Sequence, residues 1–286
     1  DGTSQLVQRW YVFPVHTGMI TYPIAVFART VLEHGPAKYQ RYARRYLTLL
    51  RKSIGHHHDE WRWSELDNGE RGGDYFWPKG APLSWDGLLQ PFNQTQGLGM
   101  TMAELHRISP EPGYAAQVSA MVASFLSDME TDGDAWIWRY WPTYTELFQG
   151  YTAEDQLSEY TPSYPNGAKQ YEDISHAALS IEFMVVAHRA GLGAEPEHLE
   201  RLVATYLDKV ADGADKVFTR VDGTTPAVDS NAAQAGRWLG LAPWGPDLAP
   251  HVTAVYEAME LEPGSGSHLS GIAYVAWALN QGWDLG

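Results

Sequence analysis

The sequence predicts an all-α fold: an (α/α) toroid, complete or incomplete, built from helical hairpins with long aromatic-rich loops at one mouth. Three observations carry that expectation. Apolar residues recur with helical spacing, and the helices so marked come in pairs. A short Gly or Pro break separates the members of a pair, as in Gly35-Pro36 and Gly191-Leu192-Gly193. Between pairs lie two long segments, 55–92 and 131–172, crowded with Trp and Tyr.

The elements follow in order. Ile20, Ile24, Phe27 and Val31 mark a helix over 19–34. Tyr39, Tyr42, Tyr46 and Leu50 mark its partner over 37–54. Leu98, Met102 and Leu105 mark a third helix over 94–108, broken by Pro110 and Pro112. Val118, Met121, Phe125 and Met129 give the fourth. Leu179, Phe183 and Val186 open the next pair, which Leu199, Leu202, Tyr206 and Val210 complete. A weaker pair is expected at 230–240 and 248–260. A last helix over 268–281 carries Leu269, Ile272, Val275 and Leu279. Roughly nine helices result. Helices joined by short breaks are antiparallel neighbours, and several such hairpins in series form a bundle, solenoid or toroid. One domain over 1–286 accommodates them. No parallel-sheet pattern is visible, although Trp136-Ile137-Trp138 suits a short strand.

Long loops without structure of their own are uncommon in compact domains and usually functional. The first holds Trp61, Trp63, Tyr75, Phe76, Trp77 and Trp85; the second holds Trp136, Trp138, Tyr140, Trp141, Tyr144, Tyr160, Tyr164 and Tyr171. Aromatic rings stack on the apolar faces of sugars and offer polar edges.

Composition narrows the function. The 286 residues are 44% hydrophobic and carry a formal charge of −15. That charge argues against nucleic acid, which needs a basic patch, but admits an anionic sugar polymer drawn by a few local cations. The longest clean apolar stretch, Ile181–Ala187, contains Glu182 and is too short for a membrane span. With no cysteine, disulfides, thiolate metal sites and cysteine nucleophiles are absent. A start at Asp1-Gly2-Thr3 without Met suits a processed, secreted form.

Polar residues recur where hairpins begin: His16, Asn93, His176 and His268. Asn93 doubles as a candidate N-cap. The densest cluster is Tyr171-Glu172-Asp173-Ile174-Ser175-His176. There Asp173 or Ser175 caps the following helix, and Glu172 is expected to fix the tautomer of His176. His56-His57-His58-Asp59-Glu60 has poor spacing for a metal and reads as a solvated helix end, with His58 free to contact substrate. Asp67-Asn68-Gly69-Glu70 lacks calcium-loop spacing. No GxSxG, P-loop or GxGxxG occurs. Glu65, Asp74, Asp86, Glu172 and Asp173 are open as members of a hydrolytic carboxylate pair. Arg139, inside Trp138-Arg139-Tyr140-Trp141, and Arg220, inside Thr219-Arg220-Val221-Asp222-Gly223, are the cations expected near an anionic substrate.

Three runs, Pro91-Phe92-Asn93-Gln94, Trp136-Ile137-Trp138-Arg139-Tyr140-Trp141 and Tyr171–His176, resemble the helical-toroid polysaccharide lyases, closest to polysaccharide lyase family 38. The resemblance implies cleavage of a glucuronan- or alginate-like chain by β-elimination, without metal or cofactor, by a monomer. It gives Asn93 the substrate carboxylate, His176 the base at C5, Arg220 or Arg139 the uronate, and the leaving-group proton to one of Tyr140, Tyr164 and Tyr171. His58, Trp61, Trp77, Gln94, Trp138, Arg139, Tyr140, Trp141 and Glu172 are expected to contact the sugar. Competing readings are a toroid-type glycoside hydrolase, a uronate C5-epimerase and a non-catalytic polysaccharide-binding protein.

Overall fold

The computed structural model describes residues 5–259 and 266–281. It is mainly helical, with small β-hairpins inside the long connections, and it divides into two compact units. The first comprises the chain up to Asp128 with Trp141–Gln170 and Arg189–Gly193; the second comprises Met129–Tyr140, Tyr171–His188 and the chain from Ala194 onward.

The first unit holds α1 (Pro14–His34), α2 (Ala37–Gly55), the antiparallel hairpin β1 (Trp61–Glu65) and β2 (Arg71–Tyr75), α3 (Phe92–Ile108), α4 (Pro112–Ser127) and the single turn α5 (Glu146–Gln149). Prolines stand in the first turns of α1 and α4, where a missing N–H costs nothing. The α1–α2 and α3–α4 connections are short, which makes each pair a hairpin, and α1 also lies along α3.

The face that joins α1 to α3 corrects the expected stripe. Ile20 and Phe27 are 65% and 42% exposed. The buried side of α1 is Thr17, Gly18, Thr21, Ala25, Ala28 and Val31. Small residues let the two backbones approach: a Cβ placed on Gly18 would lie 2.0 Å from the Gly97 carbonyl oxygen. Across the same contact the Thr21 and Thr101 hydroxyls are 2.8 Å apart. In α2 the buried residues are Ala43, Leu50 and Ile54, while the three tyrosines of the expected stripe face outward. Helix α3 is buried almost throughout, from Phe92 to Leu105.

The second unit holds β3 (Glu130–Asp132) and β4 (Ala135–Ile137), α6 (Ile174–Arg189), α7 (Pro196–Ala204), β5 (Ala211–Asp212) and β6 (Lys216–Val217), the single turn α8 (Asp229–Ala232), α9 (Leu248–Ala258) and α10 (Gly266–Asn280). Among the described residues its named strands pair as local antiparallel hairpins, β3 with β4 and β5 with β6. Helix α7 continues as a six-residue π segment, Thr205–Val210. Its first residue, Thr205, binds both the N–H and the carbonyl of Trp136.

The expected helix over 230–240 is a 3-10 segment, Ala235–Leu241, behind the short α8. Residue 260, at the end of the expected 248–260 helix, lies outside the described residues. In α10 the expected stripe is corrected as well: Leu269, Ile272 and Leu279 are exposed, and His268, Gly271 and Ala278 are buried instead. No helix among the described residues is long and apolar enough to cross a membrane.

Candidate active site at the start of helix α6

Residues 171–173 run extended between two other segments of the second unit. Glu172 N–H donates to the Trp138 carbonyl (3.0 Å), Val221 N–H donates to the Glu172 carbonyl (3.0 Å), and Ile174 N–H donates to the Thr219 carbonyl (2.8 Å). Isolated bridges join Tyr171 to Arg139 and Asp173 to Arg220. Side chains alternate along such a segment. Glu172 accordingly points into the interior, whereas Tyr171 and Asp173 are only partly buried.

Asp173 then starts α6. Its Oδ1 accepts hydrogen bonds from Ser175 N–H (2.9 Å), the Ser175 hydroxyl (2.6 Å) and His176 N–H (3.2 Å), satisfying donors that a helix start leaves open. Its Oδ2 lies 2.5 Å from His176 Nδ1. Burial alone would raise the Asp173 carboxyl; the hydrogen bonds from His176 and Ser175 outweigh it and hold the group well below the usual carboxylate range. The His176 side chain remains 45% exposed, and among the described residues Nε2 meets no hydrogen-bonding group. The Tyr140 ring stands edge-on at 5.2 Å.

This corrects the expected partner of the imidazole. Glu172 Oε1 is 4.0 Å from His176 Nδ1, beyond hydrogen-bond reach. Glu172 is fully buried, and its Oε2 has no hydrogen-bond partner. Burial, reinforced by Asp173, pushes its carboxyl well up, against the lowering effect of a backbone hydrogen bond and of Arg220. Ligand atoms of Glu172, Asp173 and His176 fall within 4.8 Å of one another. The Asp173–His176 contact, however, is the hydrogen bond of a dyad, and a cation would have to break it.

Two further cations stand here. Arg220 Nη1 donates to the Tyr171 carbonyl. Arg237, which the sequence reading missed, donates from Nη1 to the Ser175 carbonyl at 3.2 Å. Its only signal is its place before Trp238, whose indole N–H donates to the Ile174 carbonyl at 3.2 Å. Arg139 is otherwise engaged. Its Nε reaches Glu130 (2.9 Å), its Nη2 reaches the Tyr171 hydroxyl (2.6 Å), and Tyr171 donates to Glu130 (2.8 Å). The Arg139 guanidinium also lies 3.5 Å from the centre of the Tyr171 ring. Burial and the Glu130 hydrogen bond raise the Tyr171 phenol, which stays protonated.

The remaining expected residues sort by position. Trp138 is fully buried beside Trp238 in the second unit and has no face for a sugar. Asn93, Gln94, His58, Trp61, Trp77, Trp141 and Tyr164 belong to the first unit. Trp77 and Trp141 are buried against one another and build core, while Trp85, which links Trp141 to Tyr164, and Tyr164 itself are partly exposed. Trp61 packs edge-on to Trp63 and Tyr75. His58 is exposed, but its neighbour His57 corrects the solvated-end reading: it is buried, bonded to Thr17 (2.8 Å) and to Glu60 (2.7 Å).

Asn93 does not cap α3. Pro91 holds that position, and Asn93 is buried in the first turn with Oδ1 unpartnered. Gln90 and Gln96 likewise bury side-chain amides with no partner. Among the open carboxylates, Asp86 brackets a loop through Gly80 N–H, Ser158, Glu159 N–H and Tyr160 N–H. Glu65 is exposed at the end of β1. Asp74 is buried; its Oδ2 accepts from the Tyr144 hydroxyl (2.8 Å) and its Oδ1 has no partner. Burial lifts its carboxyl to about 6, although hydrogen bonds from Tyr144 and Ser124 pull it down.

No family model matches the chain, and no curated protein matches it. Among solved structures, the chain is similar to the crystal structure of a family 76 glycoside hydrolase from a bovine Bacteroides thetaiotaomicron strain, at 16% identity and a TM-score of 0.45. The similarity covers 98% of this chain and 52% of the other, so the chain spans about half the length of that structure.

Proposed function

We propose that the protein is a carbohydrate-active enzyme of toroid type and, more narrowly, a lyase that cleaves a uronate-containing polysaccharide by β-elimination at the start of α6. The Asp173–His176 dyad carries this reading. Asp173 keeps the imidazole proton on Nδ1, leaving the Nε2 lone pair turned outward as a base. A glycosidase would instead need two carboxyl groups facing the bond to be cut. Here Glu172 is sealed inside and Asp173 is committed to the helix start and to His176.

In this mechanism His176 Nε2 takes the proton at C5, α to the uronate carboxylate. The C–H electron pair first moves onto the uronate carboxylate as an enolate; its return forms the C4–C5 double bond as the C4–O4 bond breaks, and O4 leaves with a proton from Tyr140. The enolate intermediate carries two negative charges, so cations must damp them. Arg220 and Arg237 have that part. Burial pushes the Glu172 carboxyl well above its ordinary range, which weakens its opposition to Arg220. A polymeric substrate further implies an extracellular setting.

The test is incubation with polyglucuronate and alginate while following ultraviolet absorbance of the unsaturated uronate. A rise that disappears in His176→Ala is expected. New reducing ends without absorbance would replace the lyase reading with hydrolysis. Deuterium uptake from solvent at C5 without cleavage would replace it with epimerisation.

One observation favours hydrolysis as a second reading. Asp74 is buried, as Glu172 is, but its carboxyl is lifted to about 6 and one of its oxygens is unpartnered, so under hydrolysis it would be the group to hold the general-acid proton. Under that reading Asp74→Asn abolishes turnover and His176→Ala leaves most of it.

A further inference from the structure

Six of the chain's 20 Lys and Arg residues stand within the 19 residues of α2, where no Asp or Glu occurs. The chain as a whole has a formal charge of −15. Lys38, Arg41, Arg44, Arg45 and Lys52 are exposed, and none forms an ion pair with an acid among the described residues. Arg51 differs, being paired with Glu111.

The same helix exposes rings. Tyr39, Tyr42 and Tyr46 are 42%, 42% and 36% exposed, with Leu49 and the neighbouring Phe27 of α1 beside them. Spacings of three and four residues put Tyr39, Tyr42, Tyr46 and Leu49 along one flank, with Lys38, Arg41, Arg45 and Lys52 next to it. Cations and rings are matched: Lys38 lies 4.8 Å from the centre of the Tyr39 ring and Arg41 lies 4.7 Å from that of Tyr42.

We propose that this face of α2 is a binding surface for an acidic polysaccharide, separate from the residues that do chemistry. The inference rests on the uronate reading for its ligand class. Charge complementarity selects an anionic partner. Charges more than about 8–10 Å apart are screened at physiological salt, so the acidity of the rest of the chain does not cancel a local basic face. The alternation selects a sugar polymer, in which each unit offers both an apolar ring face for a tyrosine and a carboxylate for the adjoining cation. From Lys38 to Lys52 the strip runs about 21 Å, enough for several units. Such a surface would hold a long chain that a short oligosaccharide could not exploit.

The experiment is affinity electrophoresis of the full chain, in a His176→Ala background so that the polymer survives, in native gels containing polyglucuronate, alginate or a neutral glucan. Mobility is read relative to a gel without polymer. We expect retardation by an acidic polymer, abolished by salt and absent with the neutral one. K38Q/R41Q/R45Q/K52Q should weaken it at least about tenfold, and Y42A/Y46A comparably, with melting curves unchanged. With His176 intact, both variants should turn over a short oligouronate like the parent. No retardation by either acidic polymer, equal retardation of parent and charge variant, or stronger association with phosphatidylserine vesicles than with polymer would each overturn the proposal. If retardation behaves as expected but no unsaturated product forms from any acidic polymer, the lyase reading fails and the surface stands.

Discussion

Asp173 divides its two carboxylate oxygens between different tasks: Oδ1 starts α6, and Oδ2 orients His176. Substitutions can separate the two. Asp173→Asn keeps an acceptor for the helix start but presents an amide to Nδ1. Turnover should fall by roughly two to four orders of magnitude with little change in KM and in melting temperature. Asp173→Ala should lose the same activity and, in addition, about 1 kcal/mol of stability in urea titrations. Because the Asp173 pKa is depressed in the fold, its stabilising contribution is full above the ordinary carboxylate range and drains as pH falls through it. Asp74 has the opposite sign. Its pKa is raised to about 6, so the folded state holds the extra proton and stability declines as pH climbs from about 4 to 6. Asp74→Asn should remove that decline: relative to the parent, the variant should gain roughly 2 kcal/mol between pH 4 and pH 7, measured by denaturant unfolding at both ends. The sequence exposed His176 as a candidate because a histidine is a poor helix starter and needs another reason to be there. It did not reveal which acid serves it. Glu172 and Asp173 are adjacent, and only the extended backbone of 171–173 decides that one points inward and the other toward the ring. The unpartnered amides of Gln90 and Gln96 left no mark in the sequence at all, since burial is a property of the packed chain.

At the level of elements, helix periods and their pairing were legible because apolar recurrence and Gly/Pro punctuation are local. Which side of a helix is buried was legible for α3, α4 and α6, where Leu98, Phe125 and Phe183 are interior as expected. It failed for α1, α2 and α10. There Val31 and Leu50 are buried as expected, but many of the close contacts are made by glycine, alanine and threonine, which give a hydrophobic pattern little weight, while Ile20, Phe27, Leu269, Ile272 and Leu279 are left outside. Gly18→Ala tests the point. Its Cβ would collide with main-chain atoms of Gly97 and Leu98, which cannot rotate aside as a side chain would. A loss at or above the 1–3 kcal/mol usual for overpacking is expected, with helical circular dichroism retained below the transition. Ile20→Ala, on the exposed side of the same helix, should change stability by less than about 0.5 kcal/mol. The long connections were legible as unusual, and Trp136-Ile137-Trp138 marked the strand found at Ala135–Ile137; the β1–β2 hairpin gave no such signal above the aromatic background.

Over the whole molecule, the acidic excess is a source of self-repulsion that salt should relieve. Raising NaCl from near zero to about 0.15 M should therefore raise Tm; a fall would mean that ion pairs such as Arg29–Glu104 outweigh the net charge. The helical class followed from the sequence, because it depends on a pattern repeated along the chain. The division into two compact units did not, since the chain passes back and forth between them at points no composition shift marks. The π segment after α7 adds a constraint of another kind. A wide turn accommodates one residue more than α geometry would, so chain length at 205–210 is itself part of the design. Excising the exposed Asp208 would permit a regular α turn, yet it would swing everything beyond by about 100° around the helix axis. Such a deletion should prove far more damaging than any substitution at Asp208, as it shifts the register in which Val210 and the strand after it meet their neighbours.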